Sequence, residues 1–157
     1  MPDTAFTIRP VRPEDAVALS EVAIQSKAHW GYDEAFMGLA LDELTWSESA
    51  LSAASVSGGI AIQGSDAAGF YLLDWADVTE PELDAMYVSP GFIGRGLGRR
   101  LFDHALDAVR GRGSRSLLIQ SDPHAEGFYH AMGARTIGAS PSGSIPGRQL
   151  PLLRLTL

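Results

Sequence analysis

The chain of 157 residues has 19 acidic and 12 basic residues, which gives a formal net charge of −7 with histidine neutral, and it contains no cysteine. The acidic balance argues against a nucleic-acid partner, and the lack of cysteine excludes disulfides, thiolate metal ligands and a cysteine nucleophile. No apolar run is long enough for a transmembrane helix and the first residues do not resemble a signal peptide. We therefore expect a single domain over residues 1–157 that is cytoplasmic and has no membrane partner.

The first third of the chain predicts one strand followed by helices. Residues 5–10 have an extended pattern, and Pro13-Glu14-Asp15 predicts a helix start because proline and acidic residues favour the first helical turn. Residues 26–46, which are rich in aromatic side chains, predict a shorter second helix, and residues 47–53 predict one or two further helical turns. The apolar stripe of the first helix consists of Ala16, Leu19, Val22 and Ala23.

The rest of the chain predicts strands and two helices. The segment Gly96–Arg112 is the clearest helix, since its apolar residues recur every four positions and Gly113 follows its end. Ala125–Met132 predicts a short helix, and Ser140–Gly147 predicts a loop. Strands are predicted at Gly59–Gln63, Gly69–Trp75, Glu82–Val88, Ser116–Gln120, Arg135–Gly138 and Leu150–Leu157. This order of elements indicates a mixed sheet in an α/β or α+β domain.

A glycine-rich turn joins the predicted strand Glu82–Val88 to the helix that follows. Gly94, Gly96 and Gly98 alternate there, and glycine permits positive φ and the close approach of a ligand to the backbone. The free amides of a helix start favour an anion such as a phosphate or pyrophosphate. The spacing fits neither the dinucleotide motif Gly-x-Gly-x-x-Gly nor a Walker A loop, which needs a lysine. A turn without a ligand and a turn that binds an unrelated phosphate compound both remain alternatives here.

Two segments together resemble the GNAT superfamily of N-acetyltransferases. The acyl-CoA-binding turn of that family has the pattern Gln/Arg-x-x-Gly-x-Gly/Ala, and Gly96 and Gly98 match its small positions, while Ile93 replaces the usual Gln or Arg. The segment Asp122–Ala134 is similar to the second family signature, Asn-x-x-Ala-x-x-Phe-Tyr-x-x-x-Gly-Phe, with Asp for Asn and Ala for the last Phe. With Arg9-Pro10 near the start, the resemblance covers almost the whole chain.

The resemblance implies a GNAT-like α+β domain with a central mixed sheet of about six or seven strands, about four helices and splayed strands that form a CoA cleft. It implies acetyl-CoA as the co-substrate, and the histidine spacing gives no reason to expect a metal site. The pantetheine arm would pair with the strand Glu82–Val88, and the diphosphate would lie on the glycine turn. For Asp122, a cap on the short helix is the alternative to a CoA contact. The implied cofactor-binding residues are Met86, Val88, Ile93, Gly94, Arg95, Gly96, Leu97, Gly98, Arg99 and Asp122.

Tyr129 and Glu82 are the residues predicted to carry the chemistry. In the family, the tyrosine at the position of Tyr129 protonates the departing thiolate, which suits a phenol with a pKa of about 10; a core tyrosine is the alternative. Glu82 lies where some members have a catalytic glutamate, so it is the candidate base, the alternative being a solvated residue at the strand edge. Alternation along the strand places Glu82, Asp84, Met86 and Val88 on one face.

Trp30 and Tyr32 are the predicted substrate-binding residues, because they lie where the family places its acceptor-binding helices; core packing is the alternative. Five acidic residues within positions 74–84 would attract a cationic amine, or they form a solvated loop. Arg148, in the loop before the last strand, would meet a carboxylate or a CoA phosphate, or form a structural salt bridge.

The resemblance therefore predicts an acetyl-CoA-dependent N-acetyltransferase. Because the chain has no cysteine to carry the acetyl group, we expect direct attack by a primary amine in a ternary complex, with a small amine favoured as the acceptor. A non-catalytic acyl-CoA-binding or regulatory module on the same fold is the alternative. Members of the family are often dimers, so the resemblance also suggests a homodimer.

Overall fold

The computed structural model of the chain describes residues 6–157, in which seven strands form one mixed sheet in the order β1-β2-β3-β4-β5-β7-β6. Neighbouring strands are antiparallel except β4 and β5, which are parallel. The strands are β1 (Thr7–Pro10), β2 (Val56–Gln63), β3 (Asp66–Asp74), β4 (Glu82–Val88), β5 (Ser116–Gln120), β6 (Arg135–Pro141) and β7 (Gln149–Thr156). The α-helices are α1 (Ala16–His29), α2 (Glu34–Ala40), α3 (Glu48–Leu51), α4 (Leu97–Gly111) and α5 (Glu126–Ala131). The predicted α+β fold with a mixed sheet is confirmed.

Helix α1 begins after a 3-10 turn at Pro13–Asp15, where the sequence predicts a helix start. Arg9 of β1 donates two hydrogen bonds, at 2.8 and 2.9 Å, to the buried Asp15 carboxylate, and the Arg12 amide donates a third at 2.7 Å. The hydrogen bonds from Arg9 hold the pKa of Asp15 below its ordinary value, against the opposing effect of burial. These contacts attach the first strand to the first helix.

The sheet separates two apolar cores. The predicted stripe of α1 is buried on one face, with each of its four residues at most 5% exposed, and packs near Phe70 of β3. Helix α4 covers the opposite face through its apolar residues at intervals of four, which are no more than 1% exposed and pack with Phe102, Leu117 and Leu153. Burial of apolar area on both faces is the main stabilising contribution in such a layered domain.

Several boundaries differ from the predicted ones. Helix α1 continues to His29, so the predicted helical region 26–46 contains the end of α1, a turn and α2. Strand β2 begins at Val56, before the predicted Gly59, because its first residues pair with β3. Strand β6 continues to Pro141, which shortens the predicted loop. Residues 1–5, which include the start of the predicted first strand and of the predicted domain, lie outside the described residues.

A β-bulge in β4 corrects one prediction. The pairing with β3 skips one residue of β4, so Asp84 has no partner in the antiparallel ladder. Leu83 lies in the core under α4, and Met86 and Val88 pack against the same core. Strict alternation would instead place Leu83 on the opposite face of the strand from Met86 and Val88. The prediction that Glu82, Asp84, Met86 and Val88 share one face is therefore wrong, because the extra residue shifts the alternation.

Candidate active site

A cleft opens where β4 and β5 separate. The two strands pair only through Glu82–Leu118 and Leu83–Ile119, and the pairing ends where the bulge at Asp84 begins. Beyond this point lies a cavity of about 420 Å³, walled by β4, the glycine turn, α5 and the end of α1. A bulge bends its strand and terminates pairing locally, so it accounts for the splayed strands that the resemblance implies.

The glycine turn forms one end of this cleft. Gly94 and Gly96 have φ of +84° and +77°, so their backbone conformation favours glycine. The first backbone hydrogen bond of α4 runs from the Arg100 amide to the Gly96 carbonyl at 3.3 Å, which leaves the three preceding amides without a helical partner. A Cβ at Gly98 would lie 3.6 Å from the Phe128 ring, an ordinary contact. The turn therefore presents free amides at the positive end of a helix, a geometry suited to an anion.

The arginines of the turn have different surroundings. Arg99 lines the cleft, whereas the Arg95 guanidinium lies 5.2 Å from the Phe92 ring centre and is not part of the cleft wall. Arg100 donates a hydrogen bond to the Phe6 carbonyl at 3.1 Å and lies over that ring, so it joins α4 to the start of the described chain. Arg99 is thus the guanidinium that the structure places at the anion end of the cleft.

Tyr129 of α5 lies in the cleft wall and is 5% exposed. Its ring packs against Phe102 and Phe128, with ring centres 5.6 and 5.2 Å away. Burial raises the pKa of Tyr129, and the neighbouring Tyr87 raises it further. The side chain is therefore a neutral phenol at neutral pH and keeps the hydroxyl proton that a general acid in the cleft needs.

The acidic residues of β4 occupy different positions relative to the cleft. Asp84 lines it, whereas Glu82 does not. Burial raises the pKa of Glu82, followed by the charges of Asp84 and Asp74. The pKa of Asp84 is also raised, first by desolvation and then by the charges of Asp74 and Glu43. Alternation along the sequence does not predict that Asp84 lines the cleft and Glu82 does not, because the orientation of Asp84 depends on the bulge.

Asp122, which follows β5, is the centre of a polar network. Its carboxylate accepts hydrogen bonds from Lys27 Nζ at 2.6 Å, the Tyr32 hydroxyl at 2.9 and 3.1 Å and the His124 amide at 2.9 Å. The Arg148 guanidinium lies 3.6 Å from it and donates to the Tyr32 hydroxyl at 2.9 Å. Burial alone would raise the pKa of Asp122, but the hydrogen bond from Lys27 and the other donors outweigh it, so the net direction is downward. The predicted cap is therefore present, together with contacts to two distant segments.

The two predicted substrate-binding residues lie at different depths. Trp30 lines the cleft, is 47% exposed and stacks on His124 with ring centres 5.0 Å apart and planes 5° apart. Tyr32 is not part of the cleft wall, because its hydroxyl bonds to Asp122 and its ring stacks on Phe36 at 4.0 Å. Burial and the bond to Asp122 raise the pKa of Tyr32.

The structure thus gathers most of the predicted site residues around one cavity. Arg95, Glu82 and Tyr32 are the predicted site residues outside its lining. Those within the lining are Trp30, Met86, Val88, Ile93, Gly94, Gly96, Leu97, Gly98, Arg99, Asp122 and Tyr129. Among residues 6–157, no group of three or more histidine or carboxylate residues could hold a metal ion. In the same range, no helix has the length and apolar character needed to cross a membrane.

The sequence of the chain matches a known family. Residues 23–134 match the model of the acetyltransferase (GNAT) family. A curated relative, the peptidyl-lysine N-acetyltransferase YjaB of Salmonella typhimurium, is 33% identical over 87 residues, which are 55% of this chain and 54% of the relative. The chain thus spans about half the length of this relative.

Solved structures share the fold over nearly the whole chain. The PaiA N-acetyltransferase of Thermoplasma acidophilum, solved in complex with coenzyme A, superposes with a TM-score of 0.78 at 19% identity over 98% of this chain and 99% of that one. The ribosomal-protein-S18-alanine N-acetyltransferase of Escherichia coli gives a TM-score of 0.73 at 20% identity over 97% and 94% of the two chains. At these identities the similarity establishes a common fold.

Proposed function

Since the chain belongs to the acetyltransferase (GNAT) family, we propose that it is an N-acetyltransferase that moves an acetyl group from acetyl-CoA to a primary amine. The observation that carries this proposal is the composition of one continuous cleft. It has free helix amides at one end and the protonated, buried Tyr129 in its wall. Such a cleft can hold a thioester whose carrier contains a diphosphate and can protonate the sulfur that leaves.

The proposal gives acetyl-CoA one orientation in the cleft. Its diphosphate would accept hydrogen bonds from the amides at the start of α4, with Arg99 nearby as a positive charge. Its pantetheine arm would lie along β4 beyond the bulge, where Met86 and Val88 are no longer paired with β5. Ile93 offers an apolar, 43% exposed surface beside the turn. Arg95, outside the lining, would reach the carrier only by leaving the Phe92 ring.

The proposed reaction is a direct transfer. The amine nitrogen attacks the thioester carbonyl carbon, the carbon–sulfur bond of the resulting tetrahedral intermediate breaks, and the electron pair of that bond leaves on sulfur. The attacking nitrogen is positively charged in this intermediate and gives one proton to water. Tyr129 gives its hydroxyl proton to the thiolate, and the tyrosinate regains a proton from water, so no net proton is gained or lost. The products are an acetylated amine and free CoA, and no covalent acetyl-enzyme is formed.

The attacking amine must first lose a proton. For an amine with a pKa of about 10.4, deprotonation at pH 7 costs about 4.6 kcal/mol. Glu82 is the proposed final acceptor, and its raised pKa brings it closer to neutral pH. Because Asp84 lines the cleft and Glu82 does not, the proton reaches Glu82 through water or through Asp84.

The proposed acceptor is a small primary amine that enters beside the end of α1. Trp30 offers an exposed aromatic side chain in the cleft wall, and Asp84 offers a carboxylate in the same wall. A cationic amine can make favourable contacts with both groups. The curated relative is named for a peptidyl lysine and the Escherichia coli structure for an alanine of ribosomal protein S18, so both names give an amine acceptor. Tyr32 lies outside the cleft lining and supports this wall through its bond to Asp122.

The homodimer and the cytoplasmic location remain predictions.

The decisive test is an acetyl-CoA consumption assay across a library of amines. We expect release of free thiol with at least one amine, and double-reciprocal plots that intersect, as a ternary complex requires. Parallel lines would instead indicate a covalent acetyl-enzyme and contradict direct transfer. Thermal stabilisation by acetyl-CoA without thiol release for any amine or peptide would favour the non-catalytic acyl-CoA-binding module. Stabilisation by nucleotides but not by CoA would refute the proposal altogether.

A further inference from the structure

Asp122 joins three segments that are distant in sequence at the acceptor side of the cleft. Its carboxylate binds Lys27 at the end of α1 and Tyr32 in the turn before α2, and Arg148 of the β6–β7 loop lies beside it. We propose that Asp122 is a positioning residue that holds the acceptor-binding wall in place, and that its carboxylate does not contact the acyl carrier. This inference rests on the acetyl transfer proposed above.

The Asp122 carboxylate has little capacity left for a ligand. A carboxylate offers about four acceptor positions. One oxygen accepts from the His124 amide, the other accepts from Lys27, and the Tyr32 hydroxyl, with its single proton, lies within hydrogen-bond distance of both. Three donors therefore occupy at least three of these positions. Only 16% of the side chain is exposed. A carrier N–H could bind here only by displacing a protein donor, and a carrier phosphate would be repelled by the negative charge.

The network fixes residues that form the cleft wall. Lys27 and Trp30 both line the cleft, and Lys27 is the only lysine of the chain. The Lys27 side chain is 12% exposed and its ammonium lies 5.3 Å from the Tyr32 ring centre. Within residues 6–157, Asp122 is the carboxylate that pairs with this largely buried ammonium. Loss of that partner would leave a buried unpaired charge, so α1 and the following turn would have to rearrange.

Tyr32 extends the network to the loop 142–148. Arg148 donates to its hydroxyl at 2.9 Å and lies over its ring at 5.2 Å. A second attachment joins the same loop to the segment after α2, where the Ser144 hydroxyl donates to Glu43 at 2.9 Å. The loop is therefore attached at two points, to the turn before α2 and to the segment after α2, and Asp122 supports the attachment through Arg148.

The experiment compares Asp122→Ala and Asp122→Asn with Asp103→Ala, a control at an exposed position on α4. For Asp122→Ala we expect CoA affinity, measured by calorimetry, to stay within about twofold, while the acceptor KM rises roughly ten- to a hundredfold, as a small misplacement of a binding wall can cause. Backbone hydrogen exchange should accelerate in segments 27–36 and 142–148 and stay unchanged in β2 and β3. For Asp122→Asn, the acceptor KM and the exchange rates should lie between those of Asp122→Ala and those of the unaltered protein, because the amide oxygen still accepts from Tyr32 and His124.

Two outcomes would overturn the inference. If CoA affinity falls by the same factor as the acceptor KM rises, Asp122 contacts the carrier. If hydrogen exchange of both segments is unchanged, Asp122 does not hold the wall. Should Asp122→Ala fail to fold, Lys27→Met keeps the apolar stem, removes the ammonium and is judged by the same measurements. Hydrogen exchange needs no substrate, so it tests the positioning role even if no amine is acetylated.

Discussion

The hydroxyl of Tyr129 can be tested separately from its ring. Within residues 6–157 the hydroxyl forms no hydrogen bond with another residue. The ring packs on Phe102 and Phe128. Tyr129→Phe therefore keeps the packing and breaks no internal hydrogen bond, so the free energy of unfolding should change by less than about 0.5 kcal/mol. If the hydroxyl protonates the leaving thiolate, kcat should fall by about 10²–10⁴-fold, equivalent to about 2.7–5.4 kcal/mol of activation free energy.

The assay measures kcat by thiol release, CoA affinity by calorimetry and unfolding by denaturant for the same preparation. Tyr71→Phe is the matched control, since Tyr71 is 2% exposed, bonds to His104 at 2.7 Å and lies outside the cleft lining. That variant should lose about 0.5–1.5 kcal/mol of stability with its kcat unchanged. The reasoning on Tyr129 would be refuted by an unchanged kcat, or by a loss of CoA affinity that accounts for the whole effect.

Four further predictions concern the turn, the first helix and the acceptor side. Gly96→Ala should lower the free energy of unfolding by about 1–2 kcal/mol because of its left-handed backbone, whereas Gly98→Ala should leave it nearly unchanged. Denaturant unfolding measures both variants, and equal losses of free energy would contradict the argument from φ. Asp15 has a lowered pKa in the folded state, so the stability that it contributes is present above its unfolded pKa and is lost as the pH falls through the folded pKa. Asp15→Asn should therefore lose stability at neutral pH and show a shallower decline between about pH 5 and 2; an unchanged pH profile would refute this linkage. Trp30→Ala should raise the KM of the acceptor while that of acetyl-CoA stays constant, and a reversed pattern in steady-state kinetics would place Trp30 on the carrier. Asp84→Asn removes a charge that raises the pKa of the proposed base, so the acidic limb of the kcat–pH profile should move to lower pH. A uniform loss of kcat without this movement would instead make the Asp84 carboxylate part of the proton path and contradict transfer through water alone.

The sequence alone determined the local features of this protein. The helix from Leu97 and its buried stripe follow from apolar residues at intervals of four, and the helix start at Pro13 follows from residues that favour a first turn. The mixed sheet followed from the order of the elements, whereas the cleft position of Tyr129 was implied by the resemblance of its segment to a family signature. These properties depend on neighbouring residues, and a pattern along the chain is sufficient to indicate them.

Only the tertiary structure decided the orientation and the partners of the polar residues. The position of Asp84 depends on a bulge, which is a property of the register between two strands. Asp122 bonds to Lys27, 95 positions earlier, and Arg148 bonds to Tyr32, 116 positions earlier. Such contacts form when packing of the apolar faces brings distant segments together, and no periodicity along the chain encodes which charges then meet.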